Sequence, residues 1–232
     1  MKIEVLPNAD QAARRAAEFV AAEARSAVAT RGRCVMGFSG GSTPLAMLRL
    51  LAQMDLPWPQ MHVIQVDERV APAGDAQRNL THLEASLVAQ VPMPAPRVHA
   101  MPVESADLAA AAASYADTLR EWAGSPPVLD LVHLGLGADG HTASLVPGDP
   151  ALDAAGDVAL AGPYQGQRRM TLTYPTLDRA RCILWLVTGA GKATMLARVV
   201  AADRAIPAGR VAQDRALLIA DAAAASYLEA HR

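Results

Sequence analysis

The densest run of reactive residue types in the chain is Leu134-Gly135-Leu136-Gly137-Ala138-Asp139-Gly140-His141-Thr142-Ala143-Ser144-Leu145. An imidazole on a glycine-rich turn can act as a general base near neutral pH when a carboxylate orients it. Among the six histidines, His141 is the one set inside such a loop, with Asp139 two residues before it. His133 falls within an apolar run and reads as a satisfied core residue. Gly135, Gly137 and Gly140 also spell G-x-G-x-x-G, but Pro147 follows too soon for the long helix of a dinucleotide site. Nor does the motif open the first strand–helix–strand unit.

Three further stretches carry chemistry. In Gly37-Phe38-Ser39-Gly40-Gly41-Ser42-Thr43-Pro44, glycines let backbone N–H groups approach an anion, and Ser42 or Thr43 can cap the helix that Pro44 begins. Gly40, Gly41, Ser42 and Thr43 are therefore candidate phosphate ligands. The same letters contain G-x-S-x-G, which would make Ser39 a nucleophile with Asp67 and His141 following in order, but few strands precede it. Val66-Asp67-Glu68-Arg69 sets two carboxylates beside a guanidinium, able to orient a substrate and hold an anion. Thr188-Gly189-Ala190-Gly191-Lys192 fails as a Walker A loop, because the required early glycine is Leu186 and the Ser/Thr is Ala193. Lys192 remains either a phosphate counter-charge or an ordinary helix-start lysine. No set of His, Cys, Asp and Glu has metal-ligand spacing, so metal-free chemistry is expected.

These stretches follow the predicted strands. Strands are expected at Ile3–Val5, Arg33–Phe38, His62–Val66, Leu129–Leu134, Arg169–Thr173, Cys182–Val187 and Ala216–Ala220. Helices are expected over Asn8–Thr30, Pro44–Gln53, Asn79–Gln90, Ser105–Trp122, Lys192–Ala202 and Ala222–Ala230. The proline-rich segment Val91–Pro102 reads as a surface connection. Alternating strands and helices predict an α/β fold: three layers, α/β/α, Rossmann-like, with a mostly parallel sheet covered by helices on both faces. Ligands in such sheets bind beyond the carboxyl ends of the strands, where the reactive residues fall.

The chain has 232 residues, 52% hydrophobic and 19% charged, which excludes a disordered or collagen-like protein. One domain over 1–232 is expected, with no repeat or linker. A net charge of −2 gives no footprint for nucleic acid. No signal peptide or membrane-spanning run is visible, so a cytoplasmic protein with no membrane partner is expected. Cys34 and Cys182 read as buried free thiols. Lysine is rare, Lys2 and Lys192 against 19 arginines, which singles out Lys192.

Together the stretches Gly37–Pro44, Val66–Arg69, Leu134–Gly148, Arg169–Leu177 and Thr188–Leu196 resemble the 6-phosphogluconolactonase family, within the glucosamine-6-phosphate isomerase/6-phosphogluconolactonase superfamily. They run in the family's order through nearly the whole chain, and Asp-Gly-His-Thr-Ala-Ser is the most specific. The deaminase branch is the nearest rival. Its motif continues Asn-Glu-Pro, with a glutamate supporting the histidine, where this chain has Leu145-Val146-Pro147. Arg69 stands where deaminases carry an aromatic residue. Three positions depart from the lactonase pattern: Arg78 for a usual serine, Val146 for a frequent aromatic residue, and no tryptophan within Val211–Ala220. The resemblance implies hydrolysis of 6-phospho-D-glucono-1,5-lactone to 6-phosphogluconate in the oxidative pentose phosphate pathway, without cofactor or metal. It implies His141 as base with Asp139 orienting the site. It also implies that Gly40, Gly41, Ser42, Thr43, Asp67, Arg69, Arg169 and Lys192 hold the substrate and its phosphate. No oxyanion donor, oligomeric state or protein partner follows from it.

Overall fold

The computed structural model describes residues 1–94 and 97–228. Its elements run β1 (Lys2–Leu6), α1 (Ala9–Arg31), β2 (Cys34–Phe38), α2 (Thr43–Ala52), β3 (Met61–Gln65), β4 (Asp67–Arg69), α3 (Asn79–Ser86) and β5 (Val98–His99). They continue with α4 (Leu108–Ala123), β6 (Leu131–Leu134), β7 (Val158–Tyr164), β8 (Gln167–Leu172), α5 (Tyr174–Arg179), β9 (Ile183–Val187), α6 (Ala193–Val200) and β10 (Ala216–Asp221).

Seven strands form one sheet in the order β1-β10-β9-β6-β2-β3-β5, every neighbouring pair parallel. Parallel strands need crossover helices, and the period of two along each strand divides its side chains between two layers. Met36, Phe38, Met61, Val63, Leu184 and Leu186 face a core closed by α1 and α2. Val35, Ile64, Val132, Leu134, Trp185 and Val187 face the other, closed by α4 and α6. The three-layer α/β/α expectation holds.

The first helix shows how local sequence sets the layer. Its buried stripe is nearly all alanine, from Ala12 to Ala27, which lets it lie close on the sheet. The Asn8 side chain caps its start by accepting the Gln11 N–H at 2.9 Å. Gly32, at φ 72°, ends it.

Several expectations are corrected. The predicted strand Arg169–Thr173 is real but belongs to a separate antiparallel sheet, β4-β8-β7. Its partner β7 is not among the expected strands, and its ladder is irregular where Gly162-Pro163 interrupts it. Val98–His99, inside the supposed surface connection, adds an edge strand to the parallel sheet. The helix expected to reach Gln90 ends at Ser86, where Leu87 leaves helical geometry, and a 3-10 turn follows. In the helix expected over Ala222–Ala230, residues 222–228 form turns, and residues 229 and 230 lie outside the described residues. Cys34 is buried and Cys182 half-buried, both free. No helix among the described residues is long and apolar enough to cross a membrane.

Candidate active site

The chain proceeds from β2 outward to β3 and β5 on one side, then returns to β6 and on to β9 and β10 on the other. The loops leaving β2 and β6 therefore diverge, and a crevice opens between them, the place where open α/β sheets take ligands. A cleft of about 220 Å³ lies there. Gly40, Gly41, Ser42, Thr43, Asp67, Arg69, His141, Arg169 and Lys192 all line it. Of the residues that the resemblance assigns to the site, only Asp139 does not, and it contacts the cleft through His141.

The glycine loop after β2 forms the floor. Ser42 stands at the N-cap of α2, but its side chain makes no capping hydrogen bond, contrary to expectation. Pro44 has no N–H and the Leu45 N–H donates to the Ser42 carbonyl at 3.3 Å, so the Ser42 and Thr43 N–H groups are the ones left to solvent or a ligand, at the positive end of the helix dipole. Gly40 has no room for a side chain, since a Cβ there would lie 1.8 Å from Asn79 Oδ1. Ser39 is buried and donates its hydroxyl to the His133 carbonyl at 3.0 Å. Among the described residues no imidazole is hydrogen-bonded to Ser39 Oγ, and Ser39 lacks the positive φ that a strained nucleophile turn imposes. The nucleophile reading is not supported.

The loop after β6 carries the imidazole. His141 Nδ1 lies 2.6 Å from Asp139 Oδ1, and the His141 amide donates to the same oxygen at 3.2 Å. An ionised carboxylate only accepts, so Nδ1 bears a proton, and in the neutral ring the lone pair is then on Nε2. Burial alone would raise the Asp139 pKa, but hydrogen bonds from the His141 amide and ring outweigh it, and the carboxyl is held below its ordinary value. Gly137 makes the geometry feasible, because a Cβ there would sit 2.1 Å from His141 Nδ1. Ala143, on the cleft wall, is held at φ 51°, a region a non-glycine residue enters at a cost of about 1–2 kcal/mol.

Cations line the same cleft. Arg69 on β4 and Arg169 on β8 are directly paired in register across the small sheet. Like charges so placed repel each other unless an anion lies between them. Burial, and then the Arg69 guanidinium, push the Arg169 pKa down. Nε of both arginines is buried without a hydrogen-bond partner among the described residues. Lys192 approaches from the turn before α6. Asp67 is buried, with Oδ2 accepting from the Ser144 hydroxyl at 2.7 Å and Oδ1 from the Asn79 amide at 3.3 Å. Burial raises its pKa despite Ser144, Arg69 and Arg169.

Glu68, paired with Asp67 in the sequence reading, turns away from the cleft. It accepts the Asn79 and Leu80 N–H groups at the start of α3 and forms a buried ion pair with Arg78 at 3.0 Å. It anchors a helix rather than a substrate, and Arg78, in place of the family's serine, is its partner. His133 is fully buried as expected, but neither ring nitrogen has a partner among the described residues, so it is not satisfied. Sequence reasoning did not find Asn79 as the wedge against Gly40, or Ser144 as the donor to Asp67. Tyr164 was also missed: its hydroxyl donates to Asp139 Oδ2 at 3.0 Å. No spacing signal points to it, because β7 was itself unrecognised.

Fold and cleft define an α/β protein with a cation-lined crevice and a carboxylate-held imidazole on its wall. The chain belongs to the family of glucosamine-6-phosphate isomerases/6-phosphogluconolactonase, whose model matches residues 7–219. It is similar to the 6-phosphogluconolactonase of Synechocystis sp., with 36% identity covering 87% of this chain and 86% of that one. It is 34% identical to the 6-phosphogluconolactonase of Mycobacterium tuberculosis, covering 97% and 98% of the two chains. Among solved structures, 6-phosphogluconolactonase from Trypanosoma cruzi superposes with a TM-score of 0.87 at 26% identity, covering 98% of this chain and 96% of that chain.

Proposed function

We propose that the chain hydrolyses 6-phospho-D-glucono-1,5-lactone to 6-phospho-D-gluconate, in the oxidative pentose phosphate pathway, with His141 as the proton-transfer residue. The observation that carries this is the His141–Asp139 pair, 2.6 Å apart, on the wall of the same cleft that gathers Arg69, Arg169 and Lys192. The sugar-phosphate lactone offers both a dianion for those cations and an electrophilic C1 for a water activated by the imidazole.

The steps follow from the groups present. The backbone N–H groups of Gly40 to Thr43, with Arg69, Arg169 and Lys192, bind the 6-phosphate. This remote binding restricts the lactone and lowers the barrier at C1. Nε2 of His141 removes a proton from water as its oxygen attacks C1. The tetrahedral intermediate then breaks its C1–ring oxygen bond, and the imidazolium returns the proton to that oxygen. Asp139 holds the ring in the required tautomer and stabilises the imidazolium. Asp67 and Ser144 tie β4 to the Asp139 loop, so the anion anchors and the base keep their spacing.

A deaminase reading lacks support at the position where a glutamate would assist the histidine, since Val146 is buried and apolar. The deciding assay uses purified protein with freshly made lactone and glucosamine 6-phosphate in parallel. Lactone hydrolysis above the spontaneous rate, with no ammonia release, is expected. Ammonia release without lactone hydrolysis would move the chain to the deaminase branch.

A further inference from the structure

We propose that Tyr164 is a positioning residue for this reaction: its hydroxyl locks the Asp139 carboxylate and its ring holds Arg169, so one side chain joins the proton-transfer pair to the anion anchor. Asp139 is engaged on both oxygens, Oδ1 by His141 and Oδ2 by the Tyr164 hydroxyl. Two donors on opposite oxygens fix the carboxylate plane, and a fixed plane fixes the imidazole that bonds to it. The Tyr164 ring also meets His141 edge-on, with centroids 5.1 Å apart at 64°. The Arg169 guanidinium lies over the ring at 5.0 Å from its centroid. That contact holds a buried cation beside the like charge of Arg69.

The backbone explains how Tyr164 comes to this place. It closes the β7–β8 hairpin opposite Gln167, across Gln165 and Gly166, both at positive φ. The ladder is irregular between Ala161 and Tyr164, where Gly162 and Pro163 interrupt β7. An irregularity of this kind redirects the next side chain, here toward the cleft.

The inference rests on the lactonase reading for its kinetic part and stands apart from it for its tautomer part. Tyr164→Phe removes the hydroxyl and keeps the ring, whereas Tyr164→Ala removes both. With the phosphorylated lactone, Tyr164→Phe should lose about tenfold in kcat, one hydrogen bond to a charged group, with KM nearly unchanged. Tyr164→Ala should show the same loss in kcat and a KM raised roughly 2–30-fold through Arg169. On D-glucono-1,5-lactone, which lacks the phosphate, the two variants should have equal KM. Imidazole 15N shifts at neutral pH give a readout independent of turnover. The parent should hold His141 in the Nδ1–H form, and Tyr164→Phe should admit a fraction of the Nε2–H form. A Phe variant with the parent's kcat and tautomer overturns the locking role. An Ala variant with the parent's KM on the phosphorylated lactone overturns the Arg169 role. If the parent hydrolyses no lactone, the proposed activity falls, and the tautomer comparison alone decides the lock.

Discussion

His141 stands at the meeting of two requirements, a lone pair at Nε2 and a carboxylate at Nδ1, and its replacement separates catalysis from binding. Positioned general-base catalysis contributes about 10²–10⁴-fold. His141→Ala should lose that much in kcat while affinity for a phosphate ligand stays near that of the parent. His141→Asn, which cannot accept a proton near neutrality, should be nearly as slow. Arg69 and Lys192 predict the opposite pattern. A charged hydrogen bond to phosphate is worth about 1.5–3 kcal/mol, so each alanine variant should lose roughly 10–150-fold in kcat/KM. Steady-state comparison with D-glucono-1,5-lactone checks this, since the loss should shrink on a substrate without phosphate. Equal losses on both lactones would place these side chains at C1. Ser39 should stay unlabelled by a fluorophosphonate probe, because its hydroxyl is committed to the His133 carbonyl.

At the level of elements, the site depends on backbone that passes too close for side chains. Gly137→Ala would drive a Cβ into His141 Nδ1 and Asp139 Oδ1, both within 2.7 Å of it. We expect kcat to fall by more than about tenfold, one decade being 1.36 kcal/mol, while circular dichroism and thermal midpoint change little. A large fall in midpoint with unchanged kcat per folded molecule would mean that the loop, not the imidazole, absorbs the clash. The cleft's parts were legible in the sequence because they follow apolar strands whose period and ends are plain: Phe38 before the glycine loop, Val66 before Asp67, Leu134 before the Asp139 loop, Val187 before Lys192. The supports were not legible. Glu68 and Asp67 are neighbours in the chain, yet a strand turns successive side chains to opposite faces, so one lines the cleft and the other anchors α3. Tyr164 lies on a strand interrupted by Gly162-Pro163, whose alternation is lost. Asn79 read as a helix start, and its role appears only once Gly40 is seen pressed against it.

For the whole molecule, sensitivity to acid follows from histidines buried without charge. Burial lowers the His133 pKa to about 4, and burial with the nearby Arg97 lowers that of His62 to about 4. The unfolded chain binds these protons near pH 6.5 and the folded chain does not, so stability is fully present above that pH and is lost as pH falls toward 4. Urea unfolding at stepped pH should show this decline, and His133→Leu should flatten it by up to one proton. A variant with the parent's slope would mean that His133 protonates without cost in the fold. Topology gives the reason a chain with net charge −2 can concentrate cations in one place: the β4–β8 pairing and the turn after β9 bring Arg69, Arg169 and Lys192, far apart in sequence, to one crevice. The most direct test of this account is the rate of hydrolysis of freshly made 6-phosphogluconolactone by parent and His141→Ala at equal folded concentration, corrected for spontaneous opening. The account predicts rapid turnover by the parent and a loss of about 10²–10⁴-fold in the variant. A variant that keeps the parent's kcat would contradict it.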